Sequence, residues 1–260
     1  MGPIEETVRA AGAEIRVIRG GRGKPLLILH DELGYPGWLS WSERMAERRE
    51  LIMPLQPGFG RSAGIEWIRS YRDLAGLYSQ IIRELDAAPM DVIGFSAGGF
   101  IAAEMAAADP RIFSRMVLVA PMGIKPGEGE IVDFLAVTVR NHLLAVVADP
   151  AGTPEFARVY GARMTPEQFE AFEDARAETA RLGWEPFMHN PSLPHLLRGM
   201  RIPTLLVWGT RDRIVPRGCI DAYRAAIEGA QVALIEGVGH RPEMENPVEF
   251  VRVVEEFLAA

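Results

Sequence analysis

Met90-Asp91-Val92-Ile93-Gly94-Phe95-Ser96-Ala97-Gly98-Gly99-Phe100 is the stretch whose reading decides the fold. A short apolar run enters Gly-x-Ser-x-Gly, and an alanine-rich helical stretch, Phe100 to Ala108, follows. Strand, tight turn and helix in that order are the context of a nucleophile elbow. In such a turn the serine sits in a strained backbone conformation that points its hydroxyl outward. Gly94 and Gly98 let strand and helix pass closely without side-chain clashes. The helix behind Ser96 aims its unpaired N–H groups at the same point. The five-residue pattern alone arises by chance in roughly one chain of this size in ten, so its surroundings must carry the reading.

Outward from the elbow, strand and helix patterns alternate. Glu14 to Arg19 alternates apolar and charged residues, as a half-exposed edge strand does. Pro25 to His30, Leu51 to Leu55, Arg115 to Ala120 and Pro203 to Trp208 are short apolar runs of the kind buried on both sheet faces. Gln231 to Glu236 reads as a last strand. Ser70 to Leu85, Gly218 to Ile227 and Pro247 to Leu258 carry helical spacing. This rhythm predicts an α/β fold with a mostly parallel central sheet flanked by helices. No buried-strand pattern occurs between about 123 and 199. There, Glu130 to Val147 and Gln168 to Leu182 read as helices, and Thr153-Pro154-Glu155 and Thr165-Pro166-Glu167 as helix starts. The expected division is a core of residues 1–122 and 200–260 with a helical cap inserted at 123–199.

Composition excludes several classes. The chain has 260 residues, 48% hydrophobic and 24% charged, with a formal net charge of −7. No basic run exists, so nucleic acid is not an expected partner. Lys24 and Lys125 are the only lysines, and with so many alanines this points to a GC-rich, bacterial genome. Cys219 is the only cysteine, which rules out an intrachain disulfide and fits a reducing cytoplasm. Residues 1–10 have neither the basic start nor the apolar core of a signal peptide. The apolar runs are far short of a membrane span. The histidines at 30, 142, 189, 195 and 240 are scattered without metal-ligand spacing. No cofactor is therefore expected, and the partner is a small-molecule substrate, with a homo-oligomer compatible but not indicated.

A serine hydroxyl needs a base, usually His, and that His needs a carboxylate to fix its tautomer. Gly209-Thr210-Arg211-Asp212-Arg213-Ile214-Val215-Pro216 and Gly237-Val238-Gly239-His240 each follow a predicted strand directly. In a parallel sheet those strand ends share one edge with the elbow. At these motifs the chain resembles the α/β-hydrolase superfamily, nearly end to end from Pro25 to Leu258. The resemblance implies Ser96 as nucleophile, His240 as base and Asp212 as its orienter. It implies an oxyanion hole from the N–H groups of Ala97 and, in the loop after Pro25 to His30, of Glu32, with Leu33 the alternative. The superfamily usually reads His-Gly in that loop, whereas this chain has His30-Asp31-Glu32-Leu33-Gly34. Those carboxylates either face water, cap a turn, disfavour anionic substrates or join acid–base steps. Asp91 and Asp221 read as surface charges. His30, Leu33, His142 and Trp184 are candidate pocket residues.

The implied activity is a cofactor-free serine hydrolase, first of all a carboxylesterase acting on a small ester or lactone. Alternatives are an amide or carbon–carbon bond hydrolase of aromatic degradation, a perhydrolase or acyltransferase, or a non-enzymatic ligand-binding member of the fold. In the carbon–carbon group an aromatic residue commonly follows the catalytic His; here Arg241 does.

Overall fold

The computed structural model describes residues 2–60, 62–161 and 164–260. Arg61, and residues 162 and 163 of the 123–199 block, lie outside the described residues. The strands are β1 (Ile4–Ala10), β2 (Ala13–Gly21), β3 (Lys24–Leu29), β4 (Arg49–Pro54), β5 (Met90–Phe95), β6 (Phe113–Val119), β7 (Thr204–Gly209) and β8 (Gln231–Ile235). They form one eight-stranded sheet in the order β1-β2-β4-β3-β5-β6-β7-β8. β1 and β2 join antiparallel, as do β2 and β4; every other pairing is parallel. β5, with the elbow at its end, runs in the middle, and all of its residues are buried.

The helices are α1 (Ser40–Ala46), α2 (Tyr71–Glu84), α3 (Ala97–Ala108), α4 (Val139–Ala145), α5 (Pro154–Tyr160), α6 (Pro166–Gly183), α7 (Leu193–Leu196), α8 (Gly218–Ala226), α9 (Pro242–Glu245) and α10 (Pro247–Ala259). α2 starts where the sequence places it: the Ser70 hydroxyl accepts the Asp73 N–H, a side-chain cap. Its Leu74, Leu77, Tyr78, Ile81 and Ile82 are all buried, each stabilising by about 1.5–3 kcal/mol relative to exposure. α3 is buried on every side from Ala97 to Ala106, which explains its lack of any polar face. Between β6 and β7 the described residues hold α4 to α7 and no strand; one isolated bridge joins Gly123 to His189.

Several expectations need correction. β1 carries Glu5, Glu6 and Arg9 on a largely exposed edge, a pattern too polar to stand out. α1 is only seven residues long and was not foreseen. The helix expected over Glu130 to Val147 is confined to Val139–Ala145. Upstream, the Asp133 carboxylate accepts the Leu135 and Ala136 N–H groups, a local turn that competes with helix. The Val132 N–H donates to the Ile214 carbonyl, which ties that segment to the loop of Asp212. Asp91 is not a surface charge. It is fully buried, with Arg49 Nη1 at 2.7 Å and Lys24 Nζ at 3.0 Å. Asp221 is exposed, as expected.

Among the described residues no helix is long and apolar enough to cross a membrane.

Candidate active site

Ser96 stands between β5 and α3 at φ 49°, ψ −110°, a left-handed φ that a non-glycine residue holds only where its surroundings enforce it. The surroundings are the two glycines. A Cβ on Gly94 would lie 2.5 Å from the Gly98 carbonyl oxygen, and one on Gly98 equally close to the His30 carbonyl oxygen. Strand, helix and the end of β3 are therefore in backbone contact. The Ser96 N–H donates to the Val119 carbonyl at 2.9 Å, so the neighbouring strand also pins the turn. Ala97 is the first residue of α3, and its N–H has no acceptor within the helix.

Asp212 and His240 reach the same sheet edge from the ends of β7 and β8. Asp212 Oδ1 accepts the Ile214 and Val215 N–H groups at 2.8 and 3.1 Å. That fixes the carboxylate and leaves Oδ2 for His240 Nδ1, 2.9 Å away. Both side chains are sealed from water. The His240 loop is anchored by Glu245, whose carboxylate accepts the N–H groups of Gly239 and of Ala148, and by the Arg241 N–H on the Val146 carbonyl. Burial pulls the His240 imidazole down, but Asp212, then Glu32 and Asp31, outweigh it and push the pKa up to about 9. Ser96 Oγ is buried and completes no hydrogen bond here.

The loop after β3 makes a tight turn: the Leu33 N–H donates to Asp31 Oδ1 at 3.0 Å and the Gly34 N–H to the Asp31 carbonyl. Asp31 thus caps a turn, one of its expected roles, but it does not face water. Glu32 does not face water either. Its carbonyl accepts the Thr179 hydroxyl of α6 at 3.0 Å, and its carboxylate turns inward, with Oε1 3.4 Å from His142 Nε2 and 3.9 Å from His240 Nε2. Burial raises the Glu32 pKa, but His142, His240 and the nearby Ser96 hydroxyl outweigh it and hold the carboxyl well below its usual range.

The other pocket candidates separate. His142, from α4, is buried against Glu32. His30 and Leu33 line a cavity of about 320 Å³ together with Phe59 and Tyr160. His30 also braces the loop: its Nδ1–H donates to the Asp31 carbonyl and its Nε2 accepts the Gln56 N–H. Burial lowers its pKa to about 4, which keeps it neutral. Trp184 is a correction. It is 59% exposed, leans edge-on against Phe187 and lines neither the cavity beside His30 nor the one among α4, α5 and α6. It stands just past the end of α6, as that helix's C-cap.

Sequence reasoning missed Arg241, Tyr160 and Glu243. Arg241 is buried, 2.6 Å from Asp31 Oδ2, donating to Glu243 Oε1 and to the Tyr160 hydroxyl, each at 2.7 Å. Burial pushes the Asp31 carboxyl up to about 6, with Arg241 pulling against it. A signal was present: Asp31 departs from the superfamily pattern and Arg241 from that of its carbon–carbon hydrolases, with opposite charge, in two loops expected to meet. A second cavity, about 890 Å³ and largely apolar, lies among α4, α5 and α6 and also reaches Tyr160. Ser96 and His240 line neither cavity. Among the described residues no group of three or more His, Cys, Asp or Glu could hold a metal ion.

Comparison with known proteins agrees with this architecture. The chain is 27% identical over 286 residues to a 2-hydroxy-6-oxo-2,4-heptadienoate hydrolase of Pseudomonas putida, covering 99% of this chain and 97% of the relative. Among solved structures, a bacterial membrane phospholipase A superposes with a TM-score of 0.85 at 23% identity, over 99% of this chain and 86% of the other. The meta-cleavage product hydrolase CumD superposes at 0.81 and 21% identity, over 98% of each chain. The alpha/beta hydrolase family profile matches residues 26–253. With that match spanning most of its length, the chain belongs to the alpha/beta hydrolase family, and it is a hydrolase.

Proposed function

We propose that the chain is a cofactor-free serine hydrolase that cleaves a small carboxylic ester or lactone through an acyl-enzyme on Ser96. The observation that carries this is the meeting of a left-handed Ser96 with a buried His240–Asp212 pair, 2.9 Å apart, at one sheet edge. His240 Nε2 takes the proton as Ser96 Oγ attacks the acyl carbonyl. Asp212 holds the Nδ1–H tautomer and stabilises the imidazolium. The Ala97 and Glu32 N–H groups receive the oxyanion; the Leu33 N–H is already engaged by Asp31. The imidazolium then protonates the leaving alkoxide, and a water activated by the same imidazole releases the acid. Residues 123–199 act as the cap. Their contacts with the β3 loop, through Thr179, and with the His240 loop, through Val146 and Tyr160, support that role. Because Ser96 and His240 are sealed, the cap must shift to admit substrate.

Carbon–carbon bond hydrolysis is the second reading, favoured by the Pseudomonas putida relative. Its named substrate is a carboxylate. Here Asp31, Glu32, Asp212 and Glu243 lie around the site, and the charge of Arg241 is already engaged by Asp31 and Glu243. That charge balance supports a neutral or cationic substrate instead. Turnover of activated esters, with a phosphonate trap adding its mass to Ser96, tests the proposal; labelling at any other residue would refute it.

A further inference from the structure

Glu32 does more than carry a backbone N–H. Its side chain is 2% exposed, and neither carboxylate oxygen accepts a hydrogen bond of full geometry. The ring nitrogens of His142 and the Ser96 hydroxyl likewise complete no hydrogen bond of full geometry, although His142 Nε2 stands 3.4 Å from Glu32 Oε1. The other carboxylates around the reaction centre differ. Asp31 accepts from Leu33, Asp212 from Ile214, Val215 and His240, and Glu243 from Arg241. His142 Nε2 and His240 Nε2 face Glu32 Oε1 at 3.4 and 3.9 Å, but a buried carboxylate whose oxygens complete no well-formed hydrogen bond keeps unused acceptor capacity. Where it is kept beside reactive groups, a ligand that engages it is one physical explanation.

We infer that Glu32, flanked by His142, is a recognition subsite for a protonated amine carried by the substrate close to its scissile carbonyl. This deepens the serine-hydrolase reading and rests on it. An ammonium group supplies both the missing charge and several N–H donors, where a hydroxyl supplies one donor and no charge. The surplus of carboxylates over Arg241 and His240 favours the same choice. The amine must sit near the carbonyl, because Glu32 Oε1 is within 3.9 Å of the His240 nitrogen that faces the reaction. The substrate class is a small amino-acyl ester.

The test uses the nitrophenyl esters of β-alanine, butyrate and succinate, which place an ammonium, a methyl or a carboxylate at the same chain position. Expected is a kcat/KM for the β-alanyl ester about tenfold or more above butyryl, the lower range for a hydrogen bond to a charged group, with succinyl below both. Glu32→Gln should collapse the ratio toward one, and Glu32→Asp should restore part of it. A series blind to charge, or a preference that survives Glu32→Gln, overturns the inference while leaving the hydrolase reading intact. No turnover of any of the three esters rejects both. If Glu32→Gln does not fold, competitive inhibition of the unaltered enzyme by propylammonium, 1-propanol and propanoate decides: propylammonium must be the strongest, and equal or weaker inhibition by it overturns the inference.

Discussion

Asp31 Oδ2 and Arg241 Nη1 lie 2.6 Å apart with both side chains buried, so one ion pair binds the loop after β3 to the residue following His240. Arg241 also donates to Glu243 and to Tyr160 of α5. Three separate parts of the chain thus meet at one guanidinium.

Replacing Arg241 by Leu should therefore destabilise strongly, because it strands Asp31 and Glu243 without their cation. Breaking a buried pair from one side costs about 3–5 kcal/mol. Urea denaturation should show a lower midpoint of that order. The double variant Asp31→Leu with Arg241→Leu should lose less than the two single losses added; strict additivity would mean that the pair is not coupled.

Ser96→Ala should remove ester turnover on the order of a million-fold while the fold is kept. His240→Ala should match it, and Asp212→Asn should lose about ten-thousand-fold, since the carboxylate orients and stabilises but does not transfer the proton. Steady-state kinetics with circular dichroism as a folding control checks this. A Ser96→Ala protein retaining a few per cent of activity would falsify the assignment.

The pH dependence follows from His240. Its pKa is pushed up to about 9, through Asp212 first and then Glu32 and Asp31 against burial. A general base works only when neutral, so kcat/KM should climb with pH and level off above about 9. Glu32→Gln takes away one negative charge, favours the neutral imidazole and moves the limb to lower pH. A limb that does not move would show that Glu32 does not act on His240 electrostatically.

Gly98→Ala should damage both stability and rate. The new Cβ would press on the Leu29 and His30 carbonyls at the start of the loop proposed to hold the oxyanion. Backbone cannot yield as a flexible side chain can, so a loss of about 1–3 kcal/mol is expected, with kcat falling as the loop is displaced. Unchanged kcat and melting temperature would contradict the close packing of helix and strand.

Most of the parallel sheet was legible because its strands are continuous apolar runs whose ends carry the motifs of Ser96, Asp212 and His240. What escaped depended on distant partners. Asp91 reads as a surface charge until Arg49, from β4, is seen beside it. Arg241 looks like a departure from pattern until Asp31 faces it. The inward turn of Glu32 depends on α4 and α6, which supply His142 and Thr179 from more than a hundred residues away in sequence. Trp184 was named only for its place in residues 123–199, and at the end of α6 it is left mostly exposed.

The Asp31–Arg241 pair also constrains how this protein can diverge. A lineage that changes either residue alone must pass through an ancestor with a stranded buried charge beside His240. The two positions should consequently be inherited as a unit, and descendants with a neutral residue at one should carry a neutral residue at the other. Other positions within residues 123–199 can then drift while this junction stays fixed.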